Sequence, residues 1–364
     1  MRALIGTYPA PTTEQGPGAP EGIWQANFDL ESATFSDLTQ ITETESTSFL
    51  AHCDHCASVY AVSEGDQGAL HRFAVTDHGL DLRQTVETFG QWPCHVMLAS
   101  QHVITTNYGS GSVAAYRRDN GEGALVAGQV FQQAGSGPDA ERQEGPHAHF
   151  AAQVPATQYV WVTDLGADRI ICYQITAQGN GGRGLAARGT AVEFAPGMGP
   201  RHLAFDGAGY AFVAGELDNR VHVVQVDPDH GVGTVIGVID LDGNEGSAHG
   251  HVEGAKFPSH IEITPSGQHL VTAIRGVDTL NVQRIDRDES GRPILNYAGS
   301  VPTGGAWPRH FKTLGKRSDG LEVIAVANQN SSTLDVLGFD PATGQGVALS
   351  RAEVPSPACI ITLP

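Results

Sequence analysis

Lysine is nearly absent from this chain of 364 residues, which contains Lys256, Lys312 and Lys316 and no others. The formal net charge is −19. A surface this acidic repels phosphate backbones and anionic lipid, so we expect neither a nucleic-acid partner nor a membrane partner. No apolar run reaches the roughly 18 residues that cross a bilayer. Because the positive charge is mostly arginine, the positions of the arginines are informative.

Cysteine is also scarce, with five residues scattered along the chain. An odd number of dispersed cysteines does not indicate the disulfide framework of a small secreted domain. The stretch from Met1 to Tyr8 is typical of a strand, and the apolar core of a signal peptide would be longer. These features predict a cytoplasmic protein with reduced thiols.

Glycine, by contrast, is abundant, with 45 residues, and a unit of about 50 residues recurs along the chain. Each unit opens with proline and then a polar residue or histidine. Apolar strands follow, rich in Val, Ile, Tyr and Thr, and the third strand alternates with period two. The units start at Pro93, Pro146, Pro200, Pro258 and Pro308, with spacings of 53, 54, 58 and 50 residues and a degenerate start at Ser48.

The two ends of the chain together make one further unit. Arg2–Tyr8, Gly22–Asp29 and Thr34–Ile41 resemble the second, third and fourth strands of a unit, and Pro357–Leu363 resembles a first strand. A ring closed in this way leaves no free sheet edge. The repeat therefore predicts an all-β fold in which residues 1–364 form a single seven-bladed β-propeller domain, closed by the C-terminal strand in the N-terminal blade.

Polar residues stand where the first strand of a unit starts and where its second strand ends. In a propeller, both positions lie at the same mouth of the central channel, so these side chains are expected to converge. Arginines gathered there in an acidic protein indicate a site for a small anion. A single histidine of this set is more typical of a structural contact, so the hypothesis depends on the whole set. Its members are His95, His147, His149, Arg201, His202, His260, Arg309 and His310 at the starts, and Glu64, Asn107, Asp164, Glu216, Arg275 and Gln329 at the ends.

Residues 135–149, GSGPDAERQEGPHAH, resemble the segment before the third full blade of the bacterial seven-bladed 6-phosphogluconolactonase (lactonase) family. The resemblance covers essentially the whole chain. The family is also similar to fungal carboxymuconate-lactonising enzymes, which form a lactone rather than open one. Other stretches that resemble its motifs are Ile5–Tyr8, Asn107–Val113, Asp164–Asp168, Gly199–His202, Gly215–Asn219 and Pro308–Phe311.

The resemblance implies a carboxylic ester hydrolase of the pentose phosphate pathway that acts on 6-phospho-D-glucono-1,5-lactone, without cofactor or metal. It places the active-site His, Glu and two arginines at His149, Glu216, Arg201 and Arg275. We expect His149 to transfer protons, Glu216 to orient it or act as the base, and the arginines to stabilise the oxyanion. The expected partner is a small anionic lactone, and the expected state is a monomer or weak homodimer. The expected substrate-binding residues are His147, His202, Arg309, His310, Arg142, Asp164 and Gln329.

Two alternatives stay open at this point. A carboxymuconate cycloisomerase would use the same kinds of residue for proton transfer and carboxylate binding. A propeller without catalytic activity would serve as a protein-binding platform, but it would need an exposed apolar or aromatic patch, and aromatic residues make up 7% of the chain.

Three segments carry further signals. His52–Cys56 contains a CxxC pair without a second pair, so we expect a solvent-facing hairpin rather than a zinc or redox site. The insert at 246–253 departs from the family's pattern and is expected at the channel mouth; its His249, His251 and Glu253 make a divalent-ion site a minor alternative. The glycine-rich segment 179–184 is expected to be a loop rather than a phosphate cradle.

Overall fold

The structure is a computed structural model that describes residues 1–9, 22–119, 121, 123–177, 183–241 and 256–363. Strands dominate this part of the chain, and two single-turn 3-10 helices span Asp54–Cys56 and Leu165–Ala167. None of its helices is long and apolar enough to pass through a membrane. The insert at 246–253 and most of the segment 179–184 lie outside the described residues, so the predictions made for them stay predictions.

The strands are distributed along the whole described chain. The first fourteen are β1 (Arg2–Thr7), β2 (Ile23–Asp29), β3 (Thr34–Thr42), β4 (Phe49–Cys53), β5 (Ser58–Ser63), β6 (Ala69–Thr76), β7 (Gly79–Glu87), β8 (Pro93–Ala99), β9 (His102–Asn107), β10 (Ser112–Arg118), β11 (Leu125–Gln132), β12 (Ala148–Gln153), β13 (Tyr159–Asp164) and β14 (Arg169–Ala177). The second fourteen are β15 (Arg183–Glu193), β16 (Pro200–Phe205), β17 (Tyr210–Gly215), β18 (Arg220–Asp227), β19 (Val232–Asp240), β20 (Phe257–Ile263), β21 (His269–Arg275), β22 (Thr279–Arg287), β23 (Pro293–Pro302), β24 (Pro308–Lys316), β25 (Glu322–Asn328), β26 (Thr333–Phe339), β27 (Gly346–Glu353) and β28 (Pro357–Leu363).

These described strands form seven four-stranded sheets, one for each predicted unit. Within six of them the strands follow one another in chain order, and the seventh has the order β28-β1-β2-β3. β28 pairs antiparallel with β1 and sets Ile360 opposite Ile5. The prediction that the C-terminal strand completes the N-terminal unit is confirmed, and β1 has a hydrogen-bonded neighbour on each side.

The described chain divides into two compact units. The first comprises Met1–Glu45, Asn219–Val221 and Ile239–Pro364, and the second comprises Ser46–Asp218 and His222–Val238. The prediction that residues 1–364 form a single domain stays a prediction.

The core of each unit lies where neighbouring sheets pack face to face. In the first unit Ile5 and Ile360 pack with Val336 of the adjacent sheet, and all three are fully buried. In the second unit Trp161 packs with Val213 of the next sheet, and its indole N–H donates to the Gly231 carbonyl at 2.8 Å. Full burial of an aliphatic side chain such as Val213 contributes roughly 1.5–3 kcal/mol. The apolar residues of the repeated strands thus form the core between neighbouring sheets.

The turn at His52–Cys56 differs from the solvent-facing hairpin predicted for it. Ala57 has φ 41° and ψ 47°, which ends the short helix in a left-handed residue. Cys53 is 3% exposed, and it packs in an apolar cluster with Tyr60 and half-buried Cys56. The prediction of a solvent-facing turn is therefore wrong for the thiols, because the helical turn folds their side chains towards the neighbouring sheet.

Candidate active site

Three charged side chains meet in the second unit. Arg201 Nε lies 2.8 Å from Glu216 Oε2, and Arg142 Nη2 lies 2.6 Å from Glu216 Oε1. The side chains of Arg201 and Glu216 are 3% and 4% exposed, and that of Arg142 is 35% exposed. We call these three residues the ion-pair cluster. Two guanidinium groups around one carboxylate stabilise its ionised form and leave the cluster with a net positive charge.

The charge of Arg142 is sustained by its partners. Burial opposes that charge, but the negative charge and the hydrogen bond of Glu216 outweigh this effect and raise the pKa of the Arg142 guanidinium. The Tyr108 hydroxyl, 3.5 Å from Arg142 Nη2, acts in the same direction. A partly exposed cation thus stands beside a buried carboxylate.

The positions of Arg201 and Glu216 follow from the register of two strands. Pro200 starts β16 and pairs with Gly215, the last residue of β17. Arg201 follows Pro200 at the start of β16 and Glu216 follows Gly215 at the end of β17, so both residues lie at the same end of this antiparallel pair. The sequence prediction that strand starts and strand ends converge is met by this pair.

Asp168 holds two loop segments in place, one beside Arg142 and one before Arg201. This role was not predicted from the sequence. Its Oδ1 accepts hydrogen bonds from the Gly199 N–H at 2.8 Å and from Gln143 Nε2 at 2.7 Å. Gln143 follows Arg142, and Gly199 lies two residues before Arg201. One buried carboxylate therefore ties together both segments that supply arginines. The available signal was the motif Asp164–Asp168, whose last residue has φ 50°.

A second group in the same unit consists of three buried histidine rings, two of which contact the same phenylalanine. The centroid of the Phe150 ring lies 4.1 Å from that of His95 and 4.4 Å from that of His202. The His149 ring lies 5.3 Å from the His202 ring. We call His95, His149 and His202 the imidazole cluster. Stacking on an aromatic ring accounts for His95 and His202 without a catalytic role.

The backbone of His149 is anchored from the neighbouring sheet. Thr106 Oγ1 donates to the His149 carbonyl at 2.9 Å, and the Cys94 thiol donates to the same oxygen at 3.2 Å. The Cys94 sulfur also lies 3.9 Å from His149 Nδ1. These contacts hold the start of β12 in place and so fix where the imidazole lies.

Tyr108 connects the two groups, and sequence reasoning did not identify it. Its ring meets the His149 ring edge-on at 5.6 Å and stacks on the His147 ring at 4.3 Å, while its hydroxyl reaches Arg142. Burial raises the pKa of Tyr108, so the phenol stays neutral near pH 7. The only signal for it was its place beside Asn107 in a motif quoted for the family.

His147 and Asp164 are engaged mainly with other protein groups. His147 Nδ1 lies 2.8 Å from the Tyr108 carbonyl, and its Nε2 lies 3.3 Å from Glu144 Oε1. Asp164 is fully buried; its Oδ1 accepts the His147 N–H at 2.9 Å, and its Oδ2 lies 3.2 Å from Arg169 Nη2. Burial raises the pKa of the Asp164 carboxyl. These contacts are structural, and direct contact of either residue with substrate stays a prediction.

The remaining predicted site residues lie in the first unit. Arg275 is 6% exposed, its Cζ lies 5.3 Å from the centroid of the Trp307 ring, and its Nε donates to the Phe257 carbonyl at 3.2 Å. Gln329 follows β25, and its Oε1 is buried with no hydrogen-bond partner among the described residues. That Arg275 acts together with His149, Arg201 and Glu216 stays a prediction.

Arg309 and His310 stand at the start of β24. Arg309 Cζ lies 4.7 Å from the centroid of the Tyr8 ring, and its Nη2 donates to the Tyr8 hydroxyl. His310 stacks on His260 with ring centroids 3.9 Å apart, and its Nδ1 accepts the Ile360 N–H at 3.4 Å. Stacking positions the Arg309 guanidinium over an aromatic face. Phosphate binding by either residue stays a prediction.

Comparison with known proteins bears on the fold and on the family of this chain. Residues 2–362 match the family described as lactonase, 7-bladed beta-propeller. The chain belongs to this lactonase family. The match confirms the predicted fold class, and it agrees with the seven sheets seen in the described residues.

Members and neighbours of the lactonase family align with nearly all of the chain. A 6-phosphogluconolactonase of Bacillus subtilis is 30% identical over 98% of this chain and 96% of its own length. The structure of a periplasmic gluconolactonase of Pseudomonas aeruginosa has a TM-score of 0.84 at 26% identity, covering 99% of this chain and 98% of that one. A protein from Lactobacillus plantarum has a TM-score of 0.82 at 26% identity and covers 99% and 98%.

No described part of this lactonase-family chain groups three or more His, Cys, Asp or Glu side chains in a way that could hold a metal ion. His249, His251 and Glu253 lie outside the described residues.

Proposed function

We propose that this chain is a carboxylic ester hydrolase that converts 6-phospho-D-glucono-1,5-lactone to 6-phosphogluconate. The observation that carries the proposal is the ion-pair cluster, which Tyr108 links to His149, in a member of the lactonase family. Its net positive charge suits an anionic substrate. The name of the Bacillus subtilis relative supports the phosphorylated sugar lactone as that substrate. The enzyme acts in the cytoplasm, as a monomer or weak homodimer, and needs no cofactor.

His149 carries the proton transfers in this mechanism. Its imidazole removes a proton from a water molecule as the water oxygen bonds to the lactone carbonyl carbon, giving a tetrahedral intermediate. The bond between that carbon and the ring oxygen then breaks. The ring oxygen takes the proton from His149 and becomes the hydroxyl group of the open product, whose new carboxylic acid ionises at neutral pH. The imidazole ends the cycle unchanged.

Arg201 stabilises the negative charge that develops on the carbonyl oxygen. A guanidinium held in place before the reaction needs no reorganisation when that charge appears. Glu216 supplies the holding contact, since its Oε2 lies 2.8 Å from Arg201 Nε. Because both oxygens of Glu216 face guanidinium groups, we assign Glu216 to positioning Arg201 rather than to proton transfer. Arg275, the second arginine of the set that the resemblance implies, is our candidate for a second oxyanion contact.

The experiment that tests the proposal compares two lactones. Initial rates of ring opening are followed by NMR for 6-phosphoglucono-δ-lactone and for glucono-δ-lactone, each corrected for spontaneous hydrolysis. We expect a clear preference for the phosphorylated lactone. Failure to accelerate either reaction would contradict the proposal.

A carboxymuconate is the third substrate of the same experiment. Lactonisation of this compound, without hydrolysis of the sugar lactones, would assign the chain to the cycloisomerases instead. His149→Ala is the control, after circular dichroism has confirmed that it is folded. Loss of the reaction in this variant shows that the measured rate comes from the enzyme.

A further inference from the structure

The CxxC segment, which lies in the sheet of β4–β7, brings the sulfur atoms of Cys53 and Cys56 into direct contact. Cys53 ends β4, and Cys56 ends the short helix that follows. Their Sγ atoms lie 2.6 Å apart. A small side-chain rotation is enough to bring them to the roughly 2.05 Å of a disulfide bond.

A positive charge faces both sulfurs. Arg118, at the end of β10, places its Nη1 2.7 Å from Cys53 Sγ and 3.6 Å from Cys56 Sγ. Among the described residues, the Tyr60 hydroxyl also faces the pair, 3.8 Å from Cys56 Sγ. Cationic neighbours favour the thiolate, which is the reactive form of cysteine. Arg118 thus reaches from its own sheet to the thiols of Cys53 and Cys56 on another sheet, rather than to a carboxylate.

The two thiols differ in exposure and acidity. Cys53 is buried, and burial above all raises the pKa of its thiol. Cys56 is half-buried; burial opposes its ionisation, but its side-chain contacts with Cys53 and Ser58 and the positive charge of Arg118 together lower the pKa of its thiol. The outer thiol is therefore the more acidic one. This is the arrangement of an attacking and a resolving cysteine.

We propose that Cys53 and Cys56 form a reversible dithiol–disulfide pair that exchanges with low-molecular-weight disulfides. The Cys56 thiolate attacks one sulfur of the small disulfide, forms a mixed disulfide and releases one thiolate. Cys53 then loses its proton and attacks Cys56 Sγ, which releases the second small thiol. The protein loses two electrons and two protons in total, and the small disulfide is reduced to two thiols.

Arg118 sets the balance between the two forms. In the dithiol form its charge is opposed by a thiolate, whereas the disulfide carries no charge. Arg118 therefore stabilises the reduced form and makes the disulfide easier to reduce. Formation of the disulfide removes the negative charge that Arg118 faces on β4. Tyr60, which donates to the Gly123 carbonyl at 2.5 Å, remains as a link between the two segments.

The first test uses the full-length protein in buffers of defined ratios of reduced to oxidised glutathione. After equilibration the remaining thiols are alkylated under denaturing conditions, and the peptide that contains positions 53 and 56 is analysed by mass spectrometry. We expect an intramolecular disulfide in the wild-type protein that is reversed by excess reduced glutathione. Two alkylated thiols at these positions, after equilibration with excess oxidised glutathione, would overturn the proposal.

Single variants assign the two roles. Cys53→Ser should retain glutathione on Cys56, because no resolving thiol remains, and Cys56→Ser should stay unmodified. Glutathione on Cys53 in the second variant and none on Cys56 in the first would overturn the assignment. Cys172→Ser, which removes a buried cysteine of another sheet, should behave as the wild type.

Arg118→Gln tests the electrostatic part. We expect the equilibrium constant for disulfide formation to rise about tenfold, equivalent to one pKa unit of lost thiolate stabilisation. Arg117→Gln is the matched control, because alternate residues of β10 point to opposite faces of the sheet. An equal constant for Arg118→Gln and Arg117→Gln would contradict the role given to Arg118.

Discussion

The carbonyl of Gly199 accepts a hydrogen bond from the backbone N–H of Glu216 at 2.9 Å. Gly199 has φ +60°, and a Cβ at this position would lie 2.5 Å from Cγ of Leu217. Only glycine reaches this conformation without strain and leaves room for Leu217. The hydrogen bond therefore couples the segment before Arg201 to the carboxylate that holds Arg201.

Gly199→Ala should destabilise the fold. We expect a loss of roughly 2–4 kcal/mol in the free energy of unfolding, from left-handed strain and the contact with Leu217. Urea denaturation measures it. Gly207→Ala is the matched control, because Gly207 has φ +70° but nothing within 4 Å of an added Cβ. It should cost roughly 1–2 kcal/mol, and equal losses in both variants would rule out the contact with Leu217.

Removing the charge of Glu216 should lower turnover while the protein stays folded. Glu216→Gln keeps the shape of the side chain but releases Arg201 and Arg142 from their ion pairs, so we expect kcat on 6-phosphoglucono-δ-lactone to fall roughly a hundredfold. His149→Ala should lower kcat by a similar factor through loss of proton transfer. Steady-state kinetics on folded variants measure both. Near-wild-type rates would remove these residues from the mechanism.

The dependence of kcat on pH distinguishes the role proposed for His149 from the role proposed for Glu216. If His149 is the base and Glu216 only positions Arg201, Glu216→Gln should retain the basic and acidic limbs of the wild-type kcat profile at a lower rate. His149→Ala should lose the limb that reports the imidazole. Loss of that limb in Glu216→Gln instead would show that Glu216 transfers the proton.

Stability should fall in mild acid because of His71. Burial lowers the pKa of His71 to about 4, against an ordinary value of about 6.5. Between these values the unfolded chain binds a proton that the folded chain excludes, so the free energy of unfolding decreases as pH falls from about 6.5 to about 4. The change is about 3 kcal/mol, the equivalent of the pKa difference. His71→Gln should flatten this dependence and exposed His78→Gln should not, as measured by urea denaturation at each pH.

Arg309 provides a test of phosphate recognition that rests on the sequence prediction. If Arg309 binds the phosphate, Arg309→Leu should raise KM for the phosphorylated lactone at least tenfold and leave the rate on glucono-δ-lactone unchanged. Loss of activity on both lactones would point to a general defect and contradict this assignment. Arg292→Leu, at an exposed turn, controls for the loss of one surface charge.

The sheets could be predicted from the sequence because each copy of the repeat contains the strands of one sheet. Pro93, Pro200 and Pro308 each open a first strand as predicted, and β28 pairs with β1. That Arg201 and Glu216 lie at the same end of their sheet could also be predicted, since one stands at a strand start and the other follows a strand end. Tyr108 and Asp168 could not, because side chains on loops gain their roles from contacts across sheets.

The order of apolar and turn residues along the chain by itself determined the number of sheets. It also determined that strands from both chain ends form one sheet, because both features depend on local periodicity. Only the tertiary structure decided that Arg142 shares Glu216 with Arg201, and that Arg118 faces the thiols of Cys53 and Cys56. Such charge pairings form between segments tens of residues apart. Their geometry depends on how far each side chain reaches across the packed sheets, which no spacing in the sequence encodes.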